Sequence, residues 1–148
     1  MITNIESITW FTEEFKQDVL KDILENGIVD SDISELVAAI NSIPNFITMN
    51  SCQGSLNPDV SNEHCPRTYV DFYVLNHEYW MANKLFMELT KSFGSLIRCE
   101  LNYEADFDFI GENEIKDNGM INLRFGIEIH DPDVYDDMVN LIVNSNTN

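Results

Sequence analysis

Basic residues are scarce in this sequence. Eight lysines and arginines stand against twenty-six aspartates and glutamates, a formal net charge of −18 over 148 residues. The eight are scattered without a run, so no cationic stripe is ready to neutralise a phosphate backbone, and direct binding of nucleic acid is not expected. The acidic residues spread from Glu6 to Asp137, which excludes a solvated acidic tail as the source of the charge. Long apolar runs are also missing, against the roughly 20 residues that a spanning helix needs, so no membrane association is expected. Cysteine is limited to Cys52, Cys65 and Cys99. An odd number of thiols behind an N-terminus without a basic, apolar and small-residue succession points to a cytoplasmic protein with reduced cysteines, held together by packing. Four prolines and six glycines, widely dispersed, mark no linker. One acidic domain over residues 1–148 is expected, with a frayed tail from Asn144, and 44% hydrophobic residues suffice for its core.

What is present is clear periodicity. Thr12 in capping position, Glu13 and Glu14 in a first turn, and Phe15, Val19, Leu20, Ile23 and Leu24 at helical spacing predict a helix closed by Gly27. Asp32 and Glu35 at capping-box spacing, then Ile33, Leu36, Val37 and Ile40, predict a second. Phe46 to Asn50 reads as a short strand. Thr68 to Leu75 alternates and is rich in β-branched and aromatic residues, which predicts a strand. Asn76 is the expected cap of a helix to about Ser92, with Trp80, Leu85, Phe86 and Leu89 inward. Leu96 to Tyr103 and Met120 to Ile129 read as two further strands, the latter with Ile121, Leu123, Phe125, Ile127 and Ile129 on one face. Asp131 followed by Pro132 opens a last helix with Val134, Met138 and Leu141 inward. The order α-α-β-β-α-β-β-α is an α/β (α+β) pattern: two N-terminal helices, then a mixed or antiparallel sheet of about four strands. Residues 67–143 supply a ferredoxin-like βαββα core with helices on one face, and the strand at 46–50 completes the sheet.

The stretch from Ser51 to Pro66 is the one long irregular segment in the first half, and loops of this length inside compact domains are often functional. At its mouth stands Ser51-Cys52-Gln53-Gly54. A strand end followed by a glycine turn can present a sulfur and backbone amides to a ligand, although a cysteine there is as readily a small apolar plug. With Lys16, Gly27, Val29-Asp30, Ile33, Leu36-Val37, Ile40-Asn41, Phe46 and Thr48, this Ser-Cys-x-Gly turn makes Phe15 to Gly54 resemble the start of the tRNA wybutosine-synthesising N-methyltransferase family, the third enzyme of that pathway. It is similar as well to uncharacterised bacterial and phage proteins with such a turn. The resemblance covers about a quarter of the chain and implies an α/β fold with two leading helices. In the family a basic residue typically follows the glycine, whereas Ser55 stands here. The resemblance therefore implies the family's fold and a ligand-binding turn at Ser51, Cys52, Gln53, Gly54 and Ser55, with Arg67 the nearest cation, rather than tRNA methylation.

No Walker loop, GxGxxG, Gly-x-Ser-x-Gly elbow or readable Ser/His/Asp arrangement is present, so no catalytic residue is assigned. Adjacent His64-Cys65 and a lone Cys52 do not match paired zinc ligands, which sit two to four residues apart, and neither metal nor cofactor is indicated. Glu104, Asp106 and Asp108, interleaved with Tyr103, Phe107 and Phe109, project from one face about 7 Å apart if the segment is extended, a spacing similar to that of adjacent phosphates. Carboxylates on an edge strand also deter aggregation. Two functions follow as expectations. One is a binding protein for a small or nucleotide-like ligand at the Ser51–Ser55 turn. The other is an acidic, phage-type inhibitor or nucleic-acid mimic that uses Glu104, Asp106 and Asp108 to occupy a basic nucleic-acid-binding protein.

Overall fold

The computed structural model describes residues 13–27, 29–54, 56, 66–111 and 114–146, by backbone alone between 104 and 122. Its elements follow the expected order: α1 (Glu13–Asn26), α2 (Ser34–Asn41), β1 (Phe46–Cys52), β2 (Thr68–Val74), α3 (Tyr79–Phe93), β3 (Ile97–Gly111), β4 (Glu114–Ile129) and α4 (Tyr135–Asn146). The four strands form one antiparallel sheet in the order β1-β2-β4-β3. From β2 onward this is the ferredoxin-like βαββα arrangement. The position beside β2 is filled by the N-terminal β1 of a hairpin, which supplies the fourth strand without a segment after α4. The fold is α+β, and none of the described helices is long and apolar enough to cross a membrane.

Alternation along the strands sends one set of residues under the helices. Val70, Phe72 and Val74 from β2, Phe125, Ile127 and Ile129 from β4, and Ile97 from β3 meet Leu36 and Ile40 of α2, Ala82, Leu85 and Leu89 of α3, and Met138 and Ile142 of α4. Phe72 is the centre of this core. It stacks on Phe46 at 4.8 Å and on Phe125 at 5.6 Å, and Phe86 meets both Phe72 and Phe125 edge-on. Each such pair adds about 0.5–1.5 kcal/mol to the area it buries.

Several expectations are corrected. The apolar stripe of α1 does not go under the sheet with the other helices: Val19 and Leu20 pack on Ile47, Tyr73 and Leu75, which alternate with Phe46, Phe72 and Val74 and so lie on the opposite face. The helices of residues 67–143, α3 and α4, do share one face as expected, and it is α1, outside that range, that lies on the other. Leu24 is 85% exposed, while Lys16, polar by composition, is 6% exposed and donates from Nζ to the Ile43 carbonyl at 3.2 Å. Asn76 does not cap α3. It adopts a left-handed φ of 56° inside a 3-10 turn and donates to Asn45 Oδ1, so α3 begins three residues later, and Trp80 points outward at 61% exposed. Leu96 sits in a 3-10 turn before β3. Strands β3 and β4 are longer than their clearest alternation because each continues as the other's partner. Asp131 does cap its helix, accepting from Asp133 N at 3.0 Å with Pro132 next. Met138 of α4 is fully buried as expected, and the second fully buried residue of that helix is Ile142 rather than Leu141. That helix continues through Asn146, past the expected start of the tail, because Ser145 bonds Glu88 and Asn146 bonds Ser42.

Candidate functional site

The Ser-Cys-Gln-Gly turn closes β1 against β2. Gly54 has φ +51°, and a Cβ there would lie 2.5 Å from the Arg67 carbonyl carbon and oxygen and from Thr68 Oγ1. Only glycine lets the two backbones approach this closely. Gln53 ties three segments together: its N–H donates to Asp30 Oδ2 and its Oε1 accepts from Asp32 N, both at 3.2 Å, while its carbonyl accepts from Thr68 Oγ1 and Leu56 N, both at 3.0 Å. Cys52 is 5% exposed and belongs to neither apolar cluster. Ser51 is half-buried and lines a cavity of about 190 Å³ with Val19, Ile23, Val29, Thr48 and Asn50. Ser55, like His64 and Cys65, lies outside the described residues.

A β-bulge between Thr48 and Asn50 shifts the register of β1. Beyond it Asn50 and Cys52, rather than Ser51, share the sheet face that turns away from the main core. Cys52 pairs with Tyr69, Tyr69 with Glu128, and Glu128 with Arg98, a row across all four strands. Two residues from outside the row converge on it. Arg67 Nη2 binds Glu128 Oε2, with its guanidinium 5.6 Å above the Tyr69 ring, and His130 Nε2 lies 3.5 Å from Glu128 Oε1. The hydrogen bond from Arg67 holds the Glu128 carboxyl below its ordinary range, and the same bond raises Arg67 further. Arg98 Nε reaches Glu100 at 2.6 Å.

The next row reads Asn50, Asp71, Gly126, Glu100. A Cβ on Gly126 would lie 2.7 Å from Asp71 Oδ1, so the missing side chain makes room for this carboxylate, which also lies 3.9 Å from Arg124 Nε. The chain has three arginines, and Arg67, Arg98 and Arg124 all lie on this sheet face, each beside a carboxylate. In a molecule of charge −18 this is a locally balanced patch with an aromatic ring in it. Tyr69 and Glu128 were not singled out from the sequence. Strand parity alone assigns Tyr69 and Glu128 to the outward set, but their adjacency needs the register.

Among the described residues the cysteine with a shifted pKa is Cys99, which lies on the core face of the sheet and outside this row. Cys99 pairs with Ile127, and burial pushes its pKa up. The patch can instead exchange partners: an incoming anion can take the Arg67 or Arg98 guanidinium in a bidentate contact while a planar group lies on Tyr69.

Glu104, Asp106 and Asp108 lie on β3, an edge strand, paired in backbone register with Asn122, Met120 and Lys116. Their side chains are outside the described residues. The register slips between Asp106 and Phe107, so the regular ladder is interrupted between the second and third of these positions. Strand β2 pairs with β4 only over Phe125–Ile129, and the preceding part of β4 is paired with β3 alone, as a two-stranded ribbon.

No family model matches this chain, and no solved structure matches it. Among curated proteins it is similar to the tRNA(Phe) 7-((3-amino-3-carboxypropyl)-4-demethylwyosine(37)-N(4))-methyltransferase of Thermococcus sibiricus, 44% identical over 48 residues. The match covers 30% of this chain and 24% of that enzyme, so the chain spans about a quarter of the relative's length. The relationship to the wybutosine-pathway methyltransferases is thus partial and limited to the N-terminal part of the chain.

Proposed function

We propose that this chain is a cytoplasmic binding protein that holds a small, nucleotide-like anion between the Ser51–Ser55 turn and the outer sheet face. The observation that carries this reading is the convergence of Arg67 and His130 on Glu128 beside Tyr69, with Arg98 next to Glu128 in register, in a row that begins at Cys52. An anionic group would compete with Glu128 for Arg67, and a base would lie on the Tyr69 ring. Ser51 and Asn50 at the neighbouring cavity offer hydroxyl and amide groups for a sugar or base edge. The turn itself, with Gln53 bonded on both sides, sets the position of Arg67 rather than the chemistry. The partial likeness to a tRNA methyltransferase supports a nucleoside-type ligand. Methylation of tRNA is not proposed, given the net charge and the limited match.

Titration calorimetry with nucleoside monophosphates and S-adenosylmethionine tests this. Binding is expected with at least one, weakened roughly tenfold, or about 1.4 kcal/mol, by Arg67→Ala and by Tyr69→Leu. Absence of heat with all of them, or binding indifferent to both substitutions, overturns it. The β3–β4 ribbon favours a second reading, since residues 104–122 hold six acidic residues against Lys116. In that reading the chain is an acidic inhibitor or nucleic-acid mimic that covers a basic partner through Glu104, Asp106 and Asp108. Its signature is a protein partner released as ionic strength passes about 0.15 M, where screening reaches roughly 8 Å, with no small ligand retained.

A further inference from the structure

On the helix side of the molecule a cavity of about 350 Å³ opens between α3, the end of α4 and the α2–β1 connection. That volume falls in the range that holds small ligands. Ile43, Phe46 and Leu85 form its floor, and all three are buried members of the core. Its walls are fixed by hydrogen bonds between elements. Ser145 Oγ shares its proton between the Leu141 carbonyl of its own helix at 2.8 Å and Glu88 Oε2 of α3 at 3.2 Å, and Asn146 Nδ2 donates to Ser42 Oγ at 2.8 Å, joining α4 to the end of α2. The cavity is therefore preformed. Its remaining wall is Trp80, whose Nε1–H is taken up by Glu78. That bond fixes the indole by its polar edge and leaves the ring open to solvent beside the apolar floor.

The charges around this opening choose the occupant. Glu88 lines it and Glu78 holds its indole, whereas Lys84 is the one cation in its lining and has no ion pair among the described residues. The molecule as a whole carries −18, a field that concentrates cations and repels anions. We infer that this cavity is a second binding site, separate from the sheet face, for a small organic cation with an apolar body. The body would rest on Ile43, Phe46 and Leu85, and the charge would lie over the Trp80 ring and near the Glu88 carboxylate. Cations are drawn to the negative face of an indole, the strongest of the aromatic side chains in this respect.

The test uses benzyltrimethylammonium as the probe and the Trp80 indole N–H resonance as the readout, assigned with Trp80→Phe. A saturable shift is expected with this cation and none with benzoate at the same concentration. Glu88→Gln, which can still accept from Ser145, should weaken binding roughly threefold to tenfold. Lys84→Gln removes a like charge and should strengthen binding, by about twofold or more. Arg67→Ala should leave it unchanged, which separates this site from the sheet-face patch. Tighter binding of benzoate than of the cation, weaker binding in Lys84→Gln, or no shift with the cation would each overturn the inference.

Discussion

At Gly54 two demands coincide, a left-handed φ of +51° and a backbone 2.5 Å from where a Cβ would sit. The obstacle is the Arg67 peptide rather than a flexible side chain, so relief requires the turn to part from β2. Gln53 would then lose the hydroxyl of Thr68 from its carbonyl and its two contacts with Asp30 and Asp32. Gly54→Ala is therefore expected to cost about 2–4 kcal/mol, of which the left-handed backbone accounts for about 1–2. Urea unfolding should show a lowered midpoint with an unchanged slope. A change under about 0.5 kcal/mol would mean that the turn does not hold the two strands together. The position was legible as a turn glycine, but the identity of its close neighbour was not, since Arg67 lies thirteen residues further along the chain, just before β2.

Helix α1 shows how an element can follow its sequence pattern in form and depart from it in docking. Its spacing made a helix, and a helix forms over Glu13–Asn26. Its one fully sequestered residue is nevertheless Lys16, anchored on the Ile43 carbonyl at the end of α2. Burial lowers the Lys16 pKa from its ordinary 10.5. In the alkaline range below 10.5 the unfolded chain therefore holds this proton more firmly than the folded one, and the lysine's contribution to stability rises with pH across that window. Cys99, Tyr79 and Tyr135 have pKa values raised by burial, and these act in the opposite direction as pH increases. The difference between wild type and Lys16→Met isolates the lysine: urea unfolding between about pH 8 and 10.5 should show wild type gaining on the variant as pH rises. A constant difference over that range would mean that Lys16 remains as well solvated when folded as when unfolded.

Over the whole molecule, eighteen uncompensated negative charges act against compaction. The ion pairs of Arg67 and Arg98 are made by exposed arginines, where such pairs contribute little, and Arg124 stands 3.9 Å from Asp71. Raising the salt concentration from about 0.01 M to 0.15 M shortens the screening length from roughly 30 to 8 Å and should relieve more repulsion than attraction. A higher Tm is the expected result, read by calorimetry at neutral pH; a lower one would show that the Arg67–Glu128 and neighbouring pairs dominate. Net charge is a property that sequence alone determines, and so is the order of the eight elements. Periods of 2 and 3.6 residues are written locally, as are the Asp131 cap and Pro132, and none depends on a distant partner. Tertiary structure decided what those periods face. It placed α1 across from the other helices, turned Trp80 outward and Lys16 inward, and through one bulge in β1 set Cys52, Tyr69, Glu128 and Arg98 in a row. The physical reason is register: a shift of one residue moves every side chain of a strand to the other face, and register is settled by contacts between segments far apart in the chain.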